Sequence, residues 1–244
     1  MNRPELIQNL TRLRLPHAAA RLSSSLPFNE DRPFAEALAD LLDLELSGRI
    51  GSKLSARHRQ AHLAWDSAAI EDARYEASRG LCKAMIEKLA QCRWIDRAEH
   101  LIITGETGRG KSWLASALAQ SALRAGYKVM YRTVPELLTE WEQATAKGQQ
   151  RRYMLRFDRT QLLVIDDWGV DELEPDDVRI LRNILDQRWN RRSIAVVSPH
   201  GPEEWQAWLG GYVGDALVDR LVNAAHRIDL TGPSMRTQQA VALD

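Results

Sequence analysis

Five residues in the stretch Leu101 to Trp113, Leu-Ile-Ile-Thr-Gly-Glu-Thr-Gly-Arg-Gly-Lys-Ser-Trp, have the types and spacing needed to hold a triphosphate. Gly105, Gly108 and Gly110 let the backbone take dihedrals that a Cβ penalises, so successive N–H groups turn inward on phosphate oxygens. Lys111 then reaches the β- and γ-phosphates, and the Ser112 hydroxyl ligates Mg²⁺. A helix starting here aims its positive dipole end at the same anion. Glu106, Thr107, Arg109 and Trp113 complete the candidate nucleotide-binding set. The alternative, a glycine-rich surface turn, has no use for Lys-Ser at a helix start.

Hydrolysis needs carboxylates as well as a cradle. Leu162-Leu163-Val164-Ile165-Asp166-Asp167 is an apolar, β-rich run ending in two of them. A strand buried on both faces delivers its last side chains to the C-terminal edge of a sheet, where ligands collect in open α/β folds. Asp166 is thereby a candidate Mg²⁺ holder, and Asp167 a candidate for orienting or deprotonating the attacking water. Ser198 follows the apolar run Ser193 to Val197. It is either a hydroxyl placed between γ-phosphate and water or a turn residue before Pro199.

These groups need a scaffold, and from the loop onward helix and strand patterns alternate. Trp113 to Arg124 carries Leu114, Leu118 and Ala122 on one side and stops at Gly126. Lys128 to Thr133 reads as a short strand, and Pro135 opens a helix through Trp141. Glu174-Pro175 opens another helix to about Asn190, and Pro202 a short one with Trp205 and Trp208. Asp215 to Asn223 reads as helix and His226 to Leu230 as a closing strand. That alternation predicts an α/β fold with a parallel sheet covered by helices.

Residues 1–76 read instead as a helical, candidate DNA-binding domain ahead of a nucleotide-binding domain at 77–244. Leu6, Ile7, Leu10 and Leu13 recur at helical spacing, Pro33 opens a helix through Leu46, and Gly48 and Gly51 weaken its continuation. From Ser67 to Ala98 the pattern is helical, marked by Leu81, Met85, Leu89 and Trp94.

Lys plus Arg and Asp plus Glu each number 33, so any nucleic-acid binding must come from local patches. Arg49, Lys53 and Arg57 are spaced four apart, with Arg59 nearby and no acid before His62. Lys147, Arg151, Arg152, Arg156 and Arg159 have only Asp158 as an acid among them and interleave with Tyr153 and Phe157. Each segment is a candidate contact for a DNA backbone; each also reads as a solvated helix face, the second as a subunit contact too. No stretch approaches the ~18 apolar residues of a membrane span and no signal-peptide core follows the N-terminus, so a cytoplasmic protein without a membrane partner is expected. Cys82, Cys92 and the six histidines show no metal-ligand spacing.

Gly105 to Ser112, Val164-Ile165-Asp166-Asp167-Trp168-Gly169, Asp219-Arg220-Leu221-Val222 and His226-Arg227-Ile228-Asp229-Leu230 resemble the IstB family of AAA+ ATPases, relatives of the helicase loader DnaC. Trp94-Ile95-Asp96-Arg97 is similar too, and the specific similarity covers residues 70–236. The resemblance implies ATP and Mg²⁺ as cofactors. It implies a helper of a transposase that forms a homo-oligomer on double-stranded target DNA and regulates where the integrating enzyme acts. It further implies that Arg220 is a finger reaching a neighbouring subunit's γ-phosphate and that Arg236 is a sensor-like arginine. An arginine supplied by the next subunit would neutralise transition-state charge and make hydrolysis depend on assembly. The alternative for Arg220 is a salt bridge with Asp219 or Asp215.

Three positions depart from the family's pattern. Glu106 stands where proline is common, Pro199 where a polar residue is usual, and Asp167 where AAA+ ATPases commonly carry glutamate. The shorter acid predicts slow hydrolysis. Too few residues follow the last strand for the helical lid that many relatives carry, so a full C-terminal lid is not expected. Two rival readings are a DnaC-like helicase loader, whose main ligand is another ATPase ring, and a small-molecule P-loop kinase, which needs an arginine-bearing lid.

Overall fold

The computed structural model of the chain describes residues 2–24, 33–223 and 225–235. It divides into two compact units, residues 1–56 and 57–244, ahead of the expected border at residue 76. Residues 57–76 go with the larger unit for a packing reason. Ala61, Leu63 and Ala68 are buried, and the Trp65 amide donates to Ser116 Oγ at 3.2 Å.

The first unit holds α1 (Arg3–Arg12), α2 (Pro16–Ser23) and the start of α3 (Phe34–Ala61). Both ends of α2 are satisfied by opposite charges from its neighbours. Glu45 of α3 accepts from the His17 and Ala18 amides at 2.9 and 3.0 Å, while Arg3 of α1 donates to the Leu22 and Ser24 carbonyls, each at 2.8 Å. Burial opposes the Glu45 charge, but Arg49 and the two amides outweigh it and hold the carboxyl below its ordinary value. α3 runs through Gly48 and Gly51 instead of weakening there. A Cβ at Gly48 would lie 2.4 Å from the His17 ring, so this glycine is what lets α2 and α3 approach.

Beyond Ala61 the chain does not continue as helix until α4 (Lys83–Ala90) and α5 (Arg93–Asp96). The expectation of helix from Ser67 is corrected here: its apolar markers all lie from Leu81 onward, and the preceding residues form two single 3₁₀ turns, Ile70–Asp72 and Ala77–Arg79. Gly80, at φ 67°, closes the second turn.

The remainder is the predicted alternation. In chain order come β1 (His100–Thr104), α6 (Lys111–Arg124), β2 (Val129–Thr133), α7 (Val134–Ala146) and α8 (Gln150–Asp158). Then follow β3 (Leu162–Asp166), α9 (Pro175–Arg188), β4 (Ser193–Val197), α10 (Pro202–Leu209), α11 (Gly211–Asn223) and β5 (Ala225–Asp229). The five strands pair in parallel in the order β2-β3-β4-β1-β5, with Tyr131 opposite Val164, Val164 opposite Ala195 and Ala195 opposite Leu101. Alternate strand residues face opposite layers. Ile102, Met130, Leu163, Ile165, Ile194 and Val196 pack with the buried faces of α7 to α11. Tyr131, Val164 and Ala195 fall on the other face, where α6 crosses the sheet.

At the N-terminal edge of the sheet a fully buried guanidinium joins four segments. Arg188 donates to the carbonyls of Phe157, Thr160, Gln161 and Ser193, the first in the last turn of α8 and the second just beyond it. Beside it His100, 2% exposed, accepts at Nδ1 from the Ile194 amide. Burial and the nearby Arg188 push its pKa down to about 4. Between pH about 6.5 and about 4 the unfolded chain therefore binds a proton here that the folded chain does not, and stability falls as pH drops through that window. The loss amounts to roughly 2 kcal/mol at pH 5. Denaturant titrations at pH 7 and pH 5 should show His100→Asn losing less stability on acidification than the parent. Equal losses would place the acid sensitivity elsewhere.

Candidate nucleotide-binding site

The loop from Gly105 to Gly110 joins β1 to α6, and no side chain caps α6 at Gly110. The first amides of that helix thus remain available to an anion. Lys111 Nζ donates to the Glu106 carbonyl at 3.1 Å, which holds the ammonium against the loop. The glycines are demanded by the protein as well as by a ligand. A Cβ on Gly105 would lie 2.3 Å from the Leu230 carbonyl and one on Gly108 2.4 Å from Ser234 Oγ. The residues after β5 accordingly lie across the loop, and the Met235 amide donates to the Gly108 carbonyl at 2.8 Å.

Glu106, the residue that departs from the expected proline, is 79% exposed at its side chain and pairs with Arg109. Its charge is matched inside the loop.

The carboxylates arrive from β3. Asp166, 5% exposed, shares the α6-facing side of the sheet with Tyr131 and Val164. It accepts from the Tyr131 hydroxyl and, at 2.8 Å, from the Asp167 amide. Burial first, and then the Asp166 charge, push the Tyr131 hydroxyl far above its ordinary value, so it stays a donor. A buried carboxylate lining the same cleft as the Ser112 hydroxyl is a donor set that suits a hydrated Mg²⁺.

Asp167 turns out of the strand at φ 56°, a left-handed conformation that aspartate tolerates better than most residues. Partial burial, Asp166 and Asp171 raise its pKa, partly offset by Lys111. A carboxylate so displaced accepts a proton more readily than an ordinary one. The next residue fixes it: the Trp168 amide donates to the Val197 carbonyl at 3.0 Å, and the fully buried Trp168 ring packs edge-on against Trp205 and Trp208 at 5.8 and 5.0 Å.

One cleft of 590 Å³ gathers Thr107, Gly108, Gly110, Lys111, Ser112, Trp113, Asp166 and Asp167. A larger depression of 690 Å³ elsewhere, lined by Ile70, Tyr75, Glu87 and Arg124, has no such backbone cradle, and its Arg124 and Glu87 pair with Glu71 and Lys83. Ser198 lies beside the nucleotide cleft but its oxygen faces the turn into α10. It is fully buried and accepts from the His200 amide at 3.0 Å and Trp205 Nε1 at 3.1 Å; Pro199 is the residue that lines the cleft. Arg220 stands outside the cleft on α11. It pairs with Asp186 of α9, not with Asp219 or Asp215, and lies 5.9 Å from the Trp189 ring centroid. Arg236 lies outside the described residues.

The DNA candidates divide by what already holds them. Arg49 bonds Glu45 at 2.7 Å and the Arg14 carbonyl, whereas Lys53 and Arg59 are exposed on α3 and Arg57 is half-buried. Lys147, Arg151 and Arg152 are exposed where α7 passes into α8, while Arg156 pairs with Glu140. Sequence reasoning missed a whole group of cleft residues ahead of β1: Trp65, Ser67, Asp72, Arg74 and Arg79. They come from the irregular stretch after α3, and the one local signal was Arg79-Gly80, a turn dipeptide inside a supposed helix.

With this geometry the chain can be compared with known proteins. The pattern of the family described as IstB-like ATP binding protein matches residues 8–242. The chain belongs to this family. An IstB-like relative in Sinorhizobium fredii, named as an insertion sequence ATP-binding protein, is 40% identical over 212 residues, covering 86% of each chain. The chain is thus an ATP-binding protein of the insertion-sequence type. Its fold is that of the P-loop AAA+ proteins. The crystal structure of the DnaC helicase loader superposes with a TM-score of 0.59 at 16% identity, covering 67% of this chain and 97% of that one. The replication initiator DnaA bound to AMPPCP and single-stranded DNA gives a TM-score of 0.60 at 18% identity. There the match covers 72% of the IstB-like chain and 55%, just over half, of the initiator.

Tyr131→Phe removes the donor to Asp166 and with it the hydroxyl's contacts to Ser112 and Ser116. Titration of a fluorescent ADP should show Mg²⁺-free binding within about twofold of the parent, while the Mg²⁺ needed for half-maximal tightening rises roughly tenfold. An unchanged Mg²⁺ response would make Tyr131 a packing residue only.

Proposed function

We propose that this chain is an ATPase that serves a transposase: with ATP it assembles as a homo-oligomer on double-stranded target DNA and regulates where the transposase is recruited. The observation that carries the reading is the meeting of phosphate loop and paired carboxylates at one sheet edge, in a chain whose family is that of insertion-sequence ATP-binding proteins. The loop amides and Lys111 hold the β- and γ-phosphates, and the Ser112 hydroxyl and Asp166 hold Mg²⁺. Mg²⁺ held there would supply charge neutralisation to the phosphates. Asp167 orients the attacking water and accepts its proton, its raised pKa favouring that step.

Arg220 completes the site of the next subunit. Its place on an exposed surface away from its own cleft supports that role, since an arginine that serves in trans must be outside the site it shares a chain with. Hydrolysis then depends on assembly, and ATP loss releases the DNA-bound state. The exposed Lys53, Arg59, Lys147, Arg151 and Arg152 offer backbone contacts to the duplex, Arg57 a lesser one. Arg49 serves chiefly to support Glu45.

Anisotropy of labelled duplex and single-stranded DNA, with and without Mg²⁺-ATP, tests the proposal. Cooperative, ATP-dependent preference for duplex is expected, and Lys111→Ala should abolish it. A preference for the single strand would favour a helicase loader instead. Lys53→Glu with Arg59→Glu should weaken binding to all sequences alike and flatten the salt dependence by about two units of slope. An unaltered slope would return that part of α3 to a solvated face.

A further inference from the structure

Arg79 is 7% exposed and lines the nucleotide cleft, yet among the described residues no carboxylate lies within salt-bridge distance of it. Among the described residues its guanidinium donates to two carbonyls, Nη2 to Arg109 at 3.0 Å and Nη1 to Arg74 at 3.3 Å. A guanidinium has five N–H donors, so most of its capacity is unspent by those bonds. Burial pulls its pKa below the ordinary arginine range; Glu76 counters this and Arg74 adds to it. It remains a cation, in a cleft lined by two further basic residues, Lys111 and Arg74, and by the carboxylates Asp72, Asp166 and Asp167.

The position of the charge says what would satisfy it. The Arg109 carbonyl that Arg79 holds belongs to the phosphate loop, and a Cβ on Gly110 would stand 3.3 Å from Nη2. The fork therefore packs against the α-carbon that immediately precedes Lys111. The turn that carries Arg79 is fastened from the other side. The Thr231 amide donates to the Arg79 carbonyl at 3.1 Å, and Thr231 Oγ1 donates to the Ser78 carbonyl at 2.8 Å. A planar, preorganised, under-neutralised guanidinium beside a phosphate loop matches a polyphosphate better than a base or ribose, because its parallel donors fit phosphate oxygens.

We infer that Arg79 is a nucleotide-binding residue acting within its own chain, giving the polyphosphate of the bound nucleotide a second fixed positive charge beside Lys111. The inference rests on the cleft being the nucleotide site. Arg79 also relieves its own burial in doing so: the anion supplies close counter-charge where, among the described residues, Glu76 acts from beyond salt-bridge distance. It further brings residues 70–82 into the nucleotide's shell, so that the arm ahead of the P-loop domain is held more firmly when the cleft is filled.

Calorimetric titration of ADP and of adenosine into the full-length protein, together with melting curves of the nucleotide-free forms, separates the alternatives. Arg79→Gln should weaken ADP by tenfold or more while leaving adenosine within about twofold, and Arg79→Lys, which keeps charge but not the fork, should fall between. Equal losses for ADP and adenosine, or a nucleotide-free melting point lowered enough to account for the ADP loss, would make Arg79 a structural clamp and overturn the inference. So would undiminished ADP binding. Should Arg79→Gln fail to fold, Arg79→Lys must still lose ADP selectively or the inference falls. Parent protein that binds no ADP, or Lys111→Ala that binds it normally, would count against the nucleotide site itself.

Discussion

The contact between the phosphate loop and the residues that follow β5 constrains everything else at this site. β5 is the last strand to join the sheet, and the Leu230 amide still bonds the Thr104 carbonyl at 2.8 Å as the chain leaves it. From there the backbone passes so near the loop that neither Gly105 nor Gly108 has room for a side chain. The loop is held between its own helix and this overlying segment before any nucleotide arrives. Preorganised amides cost less to align on a phosphate than amides that must first be ordered. The same contact makes β5 a mechanical neighbour of the loop: α11 carries Arg220, β5 follows α11 with only one residue between, and the segment after β5 lies on Gly108.

The opposite wall of the cleft depends on aromatic packing. Asp166 and Asp167 are successive residues that must face different partners, one inward toward α6 and one outward to the cleft. A regular strand would achieve this by alternation, but Asp167 instead leaves the strand in a left-handed conformation. Such a conformation persists only where its surroundings fix it. Trp168 does so, through its amide on β4 and its ring between two tryptophans of α10. α10 thereby positions the carboxylates without touching a ligand, and Ser198, bonded to Trp205 Nε1, belongs to the same support.

Much of this was legible in the residues. Strands buried on both faces announce themselves as apolar runs, and β1, β3 and β4 fell where the runs are, because parallel strands covered by helices have no polar face to confuse the pattern. The phosphate loop and Asp166 were equally readable, being local patterns of residue type. What failed to show was whatever depends on residues far apart in the chain. Gly48 looked like a helix breaker because the His17 ring that requires it lies on another helix. Arg49 looked like a free positive charge because Glu45's task of capping α2 is invisible along α3. The partner of Arg220 is on α9, thirty-four residues away, so a search among its own helix neighbours named the wrong acids. Residues 67–80 were read as helix by extension from the apolar markers that begin at Leu81, whereas they form two 3₁₀ turns along the larger unit.

Two buried arginines show how the same side chain divides between structure and function. Arg188, fully buried, and Arg79, 7% exposed at the wall of the cleft, have no carboxylate within salt-bridge distance among the described residues. A charge removed from water destabilises a fold unless dipoles or counter-charges replace the lost hydration. For Arg188 four carbonyls converge on the two terminal nitrogens, one from the last turn of α8 and one just beyond it, while Nε is left without a partner among the described residues. Its charge is consumed in closing the N-terminal edge of the sheet. Arg79 has two carbonyls, one of them at 3.3 Å, and an open cleft lined by Lys111. A selection acting on stability alone would favour an apolar residue at such a place. Retaining a cation there makes physical sense when an anion enters the cleft, whereas the Arg188 charge, set among four carbonyls away from any cleft although its Nε has no partner among the described residues, is a structural one.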